Sequence, residues 1–248
     1  MSKIKNLELG KTKNGVFQLP SKTLQRHLGC FGSSGSGKTV ASKVLIEELA
    51  MQGVPIIAFD PQGDIASLAI PEDYNVLEEK GINLKKHKKF TESVEVLIWT
   101  PGIDKGLPIC INPMQFDDID DLGSQDRTRL FSATAKNIIS LIGYDLGSDD
   151  GKTAGAILET VFNYASSIKL PLDNFIDLSN LLSHPPEAVL DVVKSLASIK
   201  FLDSLTKKIN LLNIGSRKLI FQNGMPANID ALIGKDHSSQ KTRISVIY

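Results

Sequence analysis

Residues 31–40, FGSSGSGKTV, decide how the rest of the chain is read. Gly32 to Thr39 fits G-x-x-x-x-G-K-[ST], and the spacing has a physical reason. A polyphosphate presents several anionic oxygens at once, so the loop that meets them must wrap closely. Glycines give the backbone the positive φ values and the close approach that this needs. Successive N–H groups then converge as a nest, and a helix starting at the loop adds the positive end of its dipole. Lys38 is placed to reach the β- and γ-phosphates, and the Thr39 hydroxyl suits a Mg²⁺ ligand. The residues expected to line the phosphates are Ser33, Ser34, Gly35, Ser36, Gly37, Lys38, Thr39 and Val40. A flexible Gly/Ser linker would not run from Lys-Thr straight into an amphipathic pattern.

Working outward, HLGCF (27–31) reads as a short strand and residues 39–52 carry helical spacing, stopped by Gly53. VPIIAF (54–59) is apolar throughout, as in a parallel strand covered on both faces. Residues 28–60 therefore read as strand, glycine loop, helix, strand: a βαβ unit with a right-handed crossover. VEVLIWT (94–100) reads as a further strand, followed by the turn PGIDKG and the apolar LPICINP. Residues 1–20 alternate weakly and suit a β-hairpin arm or a loose lead-in.

The composition changes near residue 114. Helical spacing runs through 124–143, 152–168, 170–182 and 185–202, with Pro185-Pro186-Glu187 as a helix start. The next strand is expected at Lys218–Gln222, then the turn FQNG and a closing strand, TRISVIY. The organisation expected is an arm (1–20), the first part of an α/β nucleotide-binding core (21–113), a helical subdomain (114–213) and a return to the core sheet (214–248). Because TRISVIY reads as a core strand, the chain is expected to be the N-terminal portion of a longer one.

The bulk composition narrows the class. With 248 residues, 42% hydrophobic and 23% charged, the chain can bury a sizeable core. Its 28 basic and 28 acidic residues cancel, so any nucleic-acid surface must be local. No apolar run approaches the roughly 20 residues of a membrane span, and MSKIKNLELG lacks the apolar centre of a signal peptide. Cys30 and Cys110 give neither a disulfide framework nor a zinc spacing. A cytoplasmic location without membrane contact is expected.

A second informative stretch is Asp60-Pro61-Gln62-Gly63-Asp64. Asp60 ends the second expected strand on the edge of the sheet where ligands of α/β folds bind. It is a candidate to hold a Mg²⁺-bound water or to orient the attacking one. The competing interpretation is a Pro-Gly turn capped by Asp60. An apolar strand ending in Asp-Glu, which a complete ATPase uses for Mg²⁺ and water, does not occur. Asp60 is followed by proline, and Asp177 lies in a helical pattern.

Several of these stretches together resemble one family. RHLGCFGSSGSGKTV is similar to the Walker A segment of the HerA/FtsK superfamily of hexameric DNA-pumping ATPases, with His27 ahead of it as in the HerA branch. VPIIAFDPQGD resembles that family's second strand, which ends in Asp-Pro-x-Gly-Asp/Glu. EVLIWTPG with GLPICINPM resembles the following strand and loop. LIFQNG and NIDALIGKDHSSQKTRISVIY resemble the HerA-type central domain, and the likeness covers most of residues 16–248.

The resemblance implies a RecA-like P-loop NTPase core, α/β with a mostly parallel sheet and an inserted helical subdomain. It implies ATP and Mg²⁺ as cofactors and hydrolysis coupled to movement along double-stranded DNA. It further implies self-association into a hexameric ring and a nuclease partner. By matched position Lys38 and Thr39 bind phosphate and Mg²⁺, and Asp60 joins them as a catalytic acid near the metal. Asp64 fills the last acidic place of the motif with no role attached. The family's Walker B acids and arginine finger lie further on than residue 248, which leaves hydrolysis by these 248 residues alone open. Two other readings stand. One is a conjugation or type IV secretion ATPase that moves protein or single-stranded DNA. The other is a nucleotide-binding assembly module with little turnover, for example in antiphage defence.

Weaker signals have plain explanations. Lys85-Lys86-His87-Lys88-Lys89 could meet DNA phosphates but reads more simply as a solvated loop. His27 is expected to pack or cap, Trp99 to sit in the core, and Cys30 to be a small buried residue beside the glycine loop. Asp117, Asp118, Asp120 and Asp121 suit a solvated loop before a helix better than a metal site. Gly151-Lys152-Thr153 repeats the GKT triplet but has Leu146 where the upstream glycine should be, so it reads as a loop-to-helix junction.

Overall fold

The computed structural model describes residues 6–103, 105–114, 116, 119–235 and 239–248. The alternating start of the chain folds as a hairpin, β1 (Asn6–Thr12) against β2 (Gly15–Pro20), antiparallel and joined through Lys13-Asn14. Helix α1 (Lys38–Ala50) follows the glycine loop, then β3 (Ile56–Phe59), α2 (Tyr74–Glu79), α3 (Leu84–Ser93) and β4 (Val94–Trp99). A short β5 (Ile109–Cys110) leads into α4 (Ser124–Leu141), α5 (Asp149–Ser167), α6 (Phe175–Ser183), α7 (Glu187–Leu196), α8 (Ile199–Asn210) and α9 (Ser216–Gln222). The chain closes with β6 (Met225–Pro226), α10 (Ile229–Ile233) and β7 (Thr242–Ile247). These elements fall into two units. One holds the chain up to Pro101 with Lys105–Leu107 and Ala227–Tyr248, and the other is built on Pro108–Pro226.

The first unit is α/β. Its sheet has the order β3-β7-β4, parallel throughout, with Ile56 opposite Ile244 and Glu95 opposite Arg243. Alternation along β7 gives its two faces different work. Ile244 and Val246, fully buried, pack with Ala50 of α1 and with Val94. Arg243 and Ser245 serve the other face. Arg243 Nη1 donates to Ala231 O at 2.7 Å, and Ser245 Oγ donates to Leu232 O at 2.6 Å, so β7 satisfies the last carbonyls of α10. The arm is tied to α1: Leu7 is fully buried, and the Glu8 N–H donates to Glu48 Oε2 at 2.8 Å.

HLGCF is not a strand. Residues 27–33 lie without regular structure, and Leu28 and Phe31 are 57% and 93% exposed. Gly29 and Gly32 lower the strand propensity of the stretch, and no described strand offers it a ladder, since β3 pairs only with β7. The first member of the expected βαβ unit is therefore missing. The helix and second strand follow as expected, with Gly53 (φ 86°) just past the helix end.

The second unit is mainly helical, with the short parallel pair β5–β6 at its chain ends. Its core combines Phe131, Ile138, Ile139, Ile157, Phe162, Phe175 and Leu205, from α4, α5, α6 and α8. Lys218–Gln222, expected as a strand, is helical. A five-residue apolar run is ambiguous in period, and here Phe221 turns inward to meet the Phe175 ring edge-on at 5.1 Å. Residues 170–174 do not join a helix, and 185–202 holds α7 and α8 rather than one helix. Ser198 makes the break, its hydroxyl accepting from the Phe201 N–H as the cap of α8.

Candidate functional site

The glycine loop ends where α1 begins. Gly35 (φ 77°) and Gly37 (φ 90°) hold left-handed backbone, which a side chain would strain. The loop also crowds itself: a Cβ at Gly32 would stand 2.3 Å from Ser36 Oγ. Gly37 is the N-cap of α1, and no side chain caps that end. The first amides of a thirteen-residue helix are thus offered without a built-in acceptor, at the positive end of its dipole. Lys38 Nζ donates to Gly32 O at 2.8 Å and Ser33 O at 2.7 Å, so its ammonium rests over the loop's own carbonyls. Ser33, Ser34, Gly35, Ser36, Gly37, Lys38, Thr39 and Val40 form one continuous strip from the loop to the first helical turn, and the Val40 side chain is 65% exposed.

Asp60, expected as a metal ligand, is engaged by its own turn. It is 5% exposed, and its carboxylate accepts three backbone N–H groups: Asp64 at 3.2 Å on Oδ1, and Ile65 at 2.7 Å and Ala66 at 2.9 Å on Oδ2. The Gly63 N–H donates to Asp60 O at 3.1 Å, which closes the Pro-Gly turn. The plainer interpretation of Asp60, a cap for its own turn, is the one the structure takes. The acid that meets the loop is Asp64, whose Oδ2 accepts from Thr39 Oγ1 at 3.3 Å. Its backbone oxygen accepts from Ser67 Oγ at 2.9 Å, and Ser67 Oγ accepts from Lys43 Nζ at 2.7 Å.

Nucleotide with Mg²⁺ fits these residues. The uncapped helix end and the single ammonium suit phosphates, and the Thr39 hydroxyl with an exposed carboxylate beside it suits a hard cation. Among the described residues no group of three or more His, Cys, Asp or Glu could hold a metal by itself.

The other candidates separate clearly. His27 is exposed rather than packed. Trp99 is buried at 5% exposure. The basic run is the helix α3, not a loop: Asn83 Oδ1 caps it by accepting from the Lys85 and Lys86 N–H groups, Lys86 pairs with the buried Glu48, and Lys88 pairs with Glu92. Asp117 and Asp118 lie outside the described residues, while Ile119–Asp121 forms a short 3-10 turn. Gly151-Lys152-Thr153 lies in the first turns of α5, with Ser148 as its cap, as a loop-to-helix junction should. Asp177 accepts from the Asp173 N–H at the start of α6. Among the described residues no helix is long and apolar enough to cross a membrane.

Cys30, expected to be buried, is exposed, two residues ahead of Gly32. Cys110 is buried, its thiol donates to Phe221 O at 2.8 Å, and burial pushes its pKa up from the ordinary value. Maleimide on the native protein is therefore expected to label Cys30 at least tenfold faster than Cys110, with both reacting alike once the protein is unfolded. Peptide mass mapping after timed quenching checks this, and equal native rates would contradict the burial of Cys110.

Buried Arg243 escaped the sequence analysis. It stands in a run of β-branched residues with no motif around it, and only the register that sets Glu95 opposite it shows its use.

In comparison with known families, the model of the family described as Helicase HerA, central domain, matches residues 9–166. No curated protein and no solved structure matches the chain.

Proposed function

The chain belongs to the helicase HerA central-domain family, a family of P-loop ATPases, and from that premise we propose that it binds ATP with Mg²⁺ and couples hydrolysis to movement along double-stranded DNA. The observation that carries the nucleotide reading is the uncapped start of α1, with Lys38 and two left-handed glycines at its mouth. Oriented amides stabilise phosphate without reorganising when charge shifts toward the leaving group. In this reading Ser33 to Val40 supply main-chain donors. Lys38 leaves the carbonyls of Gly32 and Ser33 for the terminal phosphates. Thr39 presents its hydroxyl oxygen to the cation. Mg²⁺, held through the Thr39 hydroxyl, would supply charge neutralisation at the phosphates. The family reading adds a hexameric ring, a nuclease partner and a cytoplasmic setting to the proposal.

A nucleotide-binding assembly module with little turnover and a secretion-type ATPase are the other readings. Phosphate release measured with duplex, with single strands and without DNA separates the readings. Duplex-stimulated turnover supports the motor. Stimulation by single strands alone favours a secretion-type ATPase. Tight binding with no turnover under any condition favours the assembly module.

A further inference from the structure

The loop after β3 is fastened along one face of α1. Thr39 and Lys43 are four residues apart, one turn of helix, so they share a face. Thr39 Oγ1 donates to Asp64 Oδ2, and Lys43 Nζ donates to Ser67 Oγ at 2.7 Å, so residues 64–67 run beside that turn. Behind them, the buried Asp60 carboxylate gathers the amides of Asp64, Ile65 and Ala66. The Asp60 N–H donates to Ile247 O at 2.9 Å, which fixes the turn to the central strand. Gly63 has φ 78°, left-handed backbone that a side chain would strain, as the turn requires.

The two acids of the segment thus do different things. Both Asp60 oxygens are taken up by main-chain donors at 2.7–3.2 Å. The Asp64 carboxylate is exposed, and its contact with Thr39 is long at 3.3 Å, so it is placed but not consumed. A threonine hydroxyl has one proton to give and two lone pairs. When the proton goes to a carboxylate, the lone pairs are turned away from it and are free for a cation. Groups that orient a metal ligand in this way govern metal affinity nearly as much as the ligand does.

We propose that Asp64 is the acid of the nucleotide–metal site, acting through Thr39, and that Asp60 is a positioning residue that holds Asp64 in register with α1. The proposal rests on the nucleotide reading above. Asp64 accepts the Thr39 proton, keeps the hydroxyl oxygen open to the cation, and brings negative charge next to it. Asp60 has no direct dealing with the metal.

The test is titration of the whole chain with a fluorescent ATP analogue, in Mg²⁺ and in EDTA, for the unaltered protein, Lys38→Ala, Asp64→Asn and Asp60→Asn. A thermal melt accompanies each. Asp64→Asn is expected to weaken binding about tenfold in Mg²⁺, within the 10–100-fold range known for groups that orient metal ligands, with no change in EDTA and no change in Tm. Asp60→Asn is expected to lower Tm by a few degrees and to lose part of the same Mg²⁺ dependence. Electron paramagnetic resonance with Mn²⁺ in place of Mg²⁺ should show less metal retained by Asp64→Asn at fixed nucleotide. The proposal is overturned if Asp64→Asn keeps its full Mg²⁺ dependence, or if it weakens binding equally in EDTA. An Asp60→Asn variant that melts lower yet keeps full Mg²⁺ dependence overturns the role given to Asp60. If Lys38→Ala also binds like the unaltered protein, the nucleotide reading itself fails; if Lys38→Ala fails to bind while Asp64→Asn is normal, only this inference does.

Discussion

Lys38→Ala is expected to weaken ATP binding by roughly 30- to 150-fold while leaving the fold intact. The ammonium is the one cation in the glycine loop, and its bonds to phosphate are charge-assisted. Such bonds contribute about 2–3 kcal/mol, and each 1.4 kcal/mol is about tenfold in affinity. The fold should not notice, because Lys38 Nζ touches only the exposed carbonyls of Gly32 and Ser33. Isothermal titration with ATP and Mg²⁺, alongside a thermal melt, reads both halves. Unchanged affinity would remove Lys38 from the site, and a large fall in Tm would mean that the loop depends on the lysine for its shape.

Glu95→Ala is expected to give the largest loss of stability. Arg243 is 3% exposed on the central strand, with Nε 2.9 Å and Nη2 2.8 Å from Glu95 Oε1. Removing the carboxylate leaves a guanidinium buried in the sheet without its counter-charge. Breaking a buried pair in this way costs about 3–5 kcal/mol. Glu95 keeps some contact with solvent (22% exposure), so the lower end applies. For a chain of this size about 3 kcal/mol lowers Tm by roughly 6–12 °C. Pairing the change with Arg243→Met should recover part of the loss, since no charge is then stranded. The recovery stays partial because Arg243 Nη1 also holds Ala231 O. A melt followed by circular dichroism checks this. A shift below about 2 °C for Glu95→Ala would show that water reaches Arg243 freely.

The legible parts of this protein were those where chemistry dictates the residue type. The left-handed turns at Gly35 and Gly37 and the helix start at Lys38 could be read directly from the glycine spacing. Residues 54–59 read as a strand because they are apolar throughout, residues 94–100 read as a further one, and β3 and β4 lie within them. What failed depended on neighbours. HLGCF is apolar enough for a strand but has no described partner to pair with. KLIFQ is too short for its period to tell helix from strand, and contact with Phe175 decided it. His27, ahead of an apolar run, and Cys30, within it beside the glycine loop, were expected to be packed, yet that run is itself exposed. The roles of Asp60 and Asp64 were the subtlest. Both precede or follow the same Pro-Gly turn, and only the direction of the amides of Asp64, Ile65 and Ala66 shows which acid is consumed.

The strand order also sets a timetable for self-assembly. β3 and β4 never touch as a pair; each waits for β7, whose Arg243 lies 148 positions after its opposite number Glu95. On the ribosome the helices of the second unit emerge before β7 and can coalesce through contacts close in sequence, which form fast. The sheet that packs on α1 stays unzipped until β7 appears. The sheet is therefore completed only after the second unit has emerged, and the interval before that is when chaperones have the most to hold.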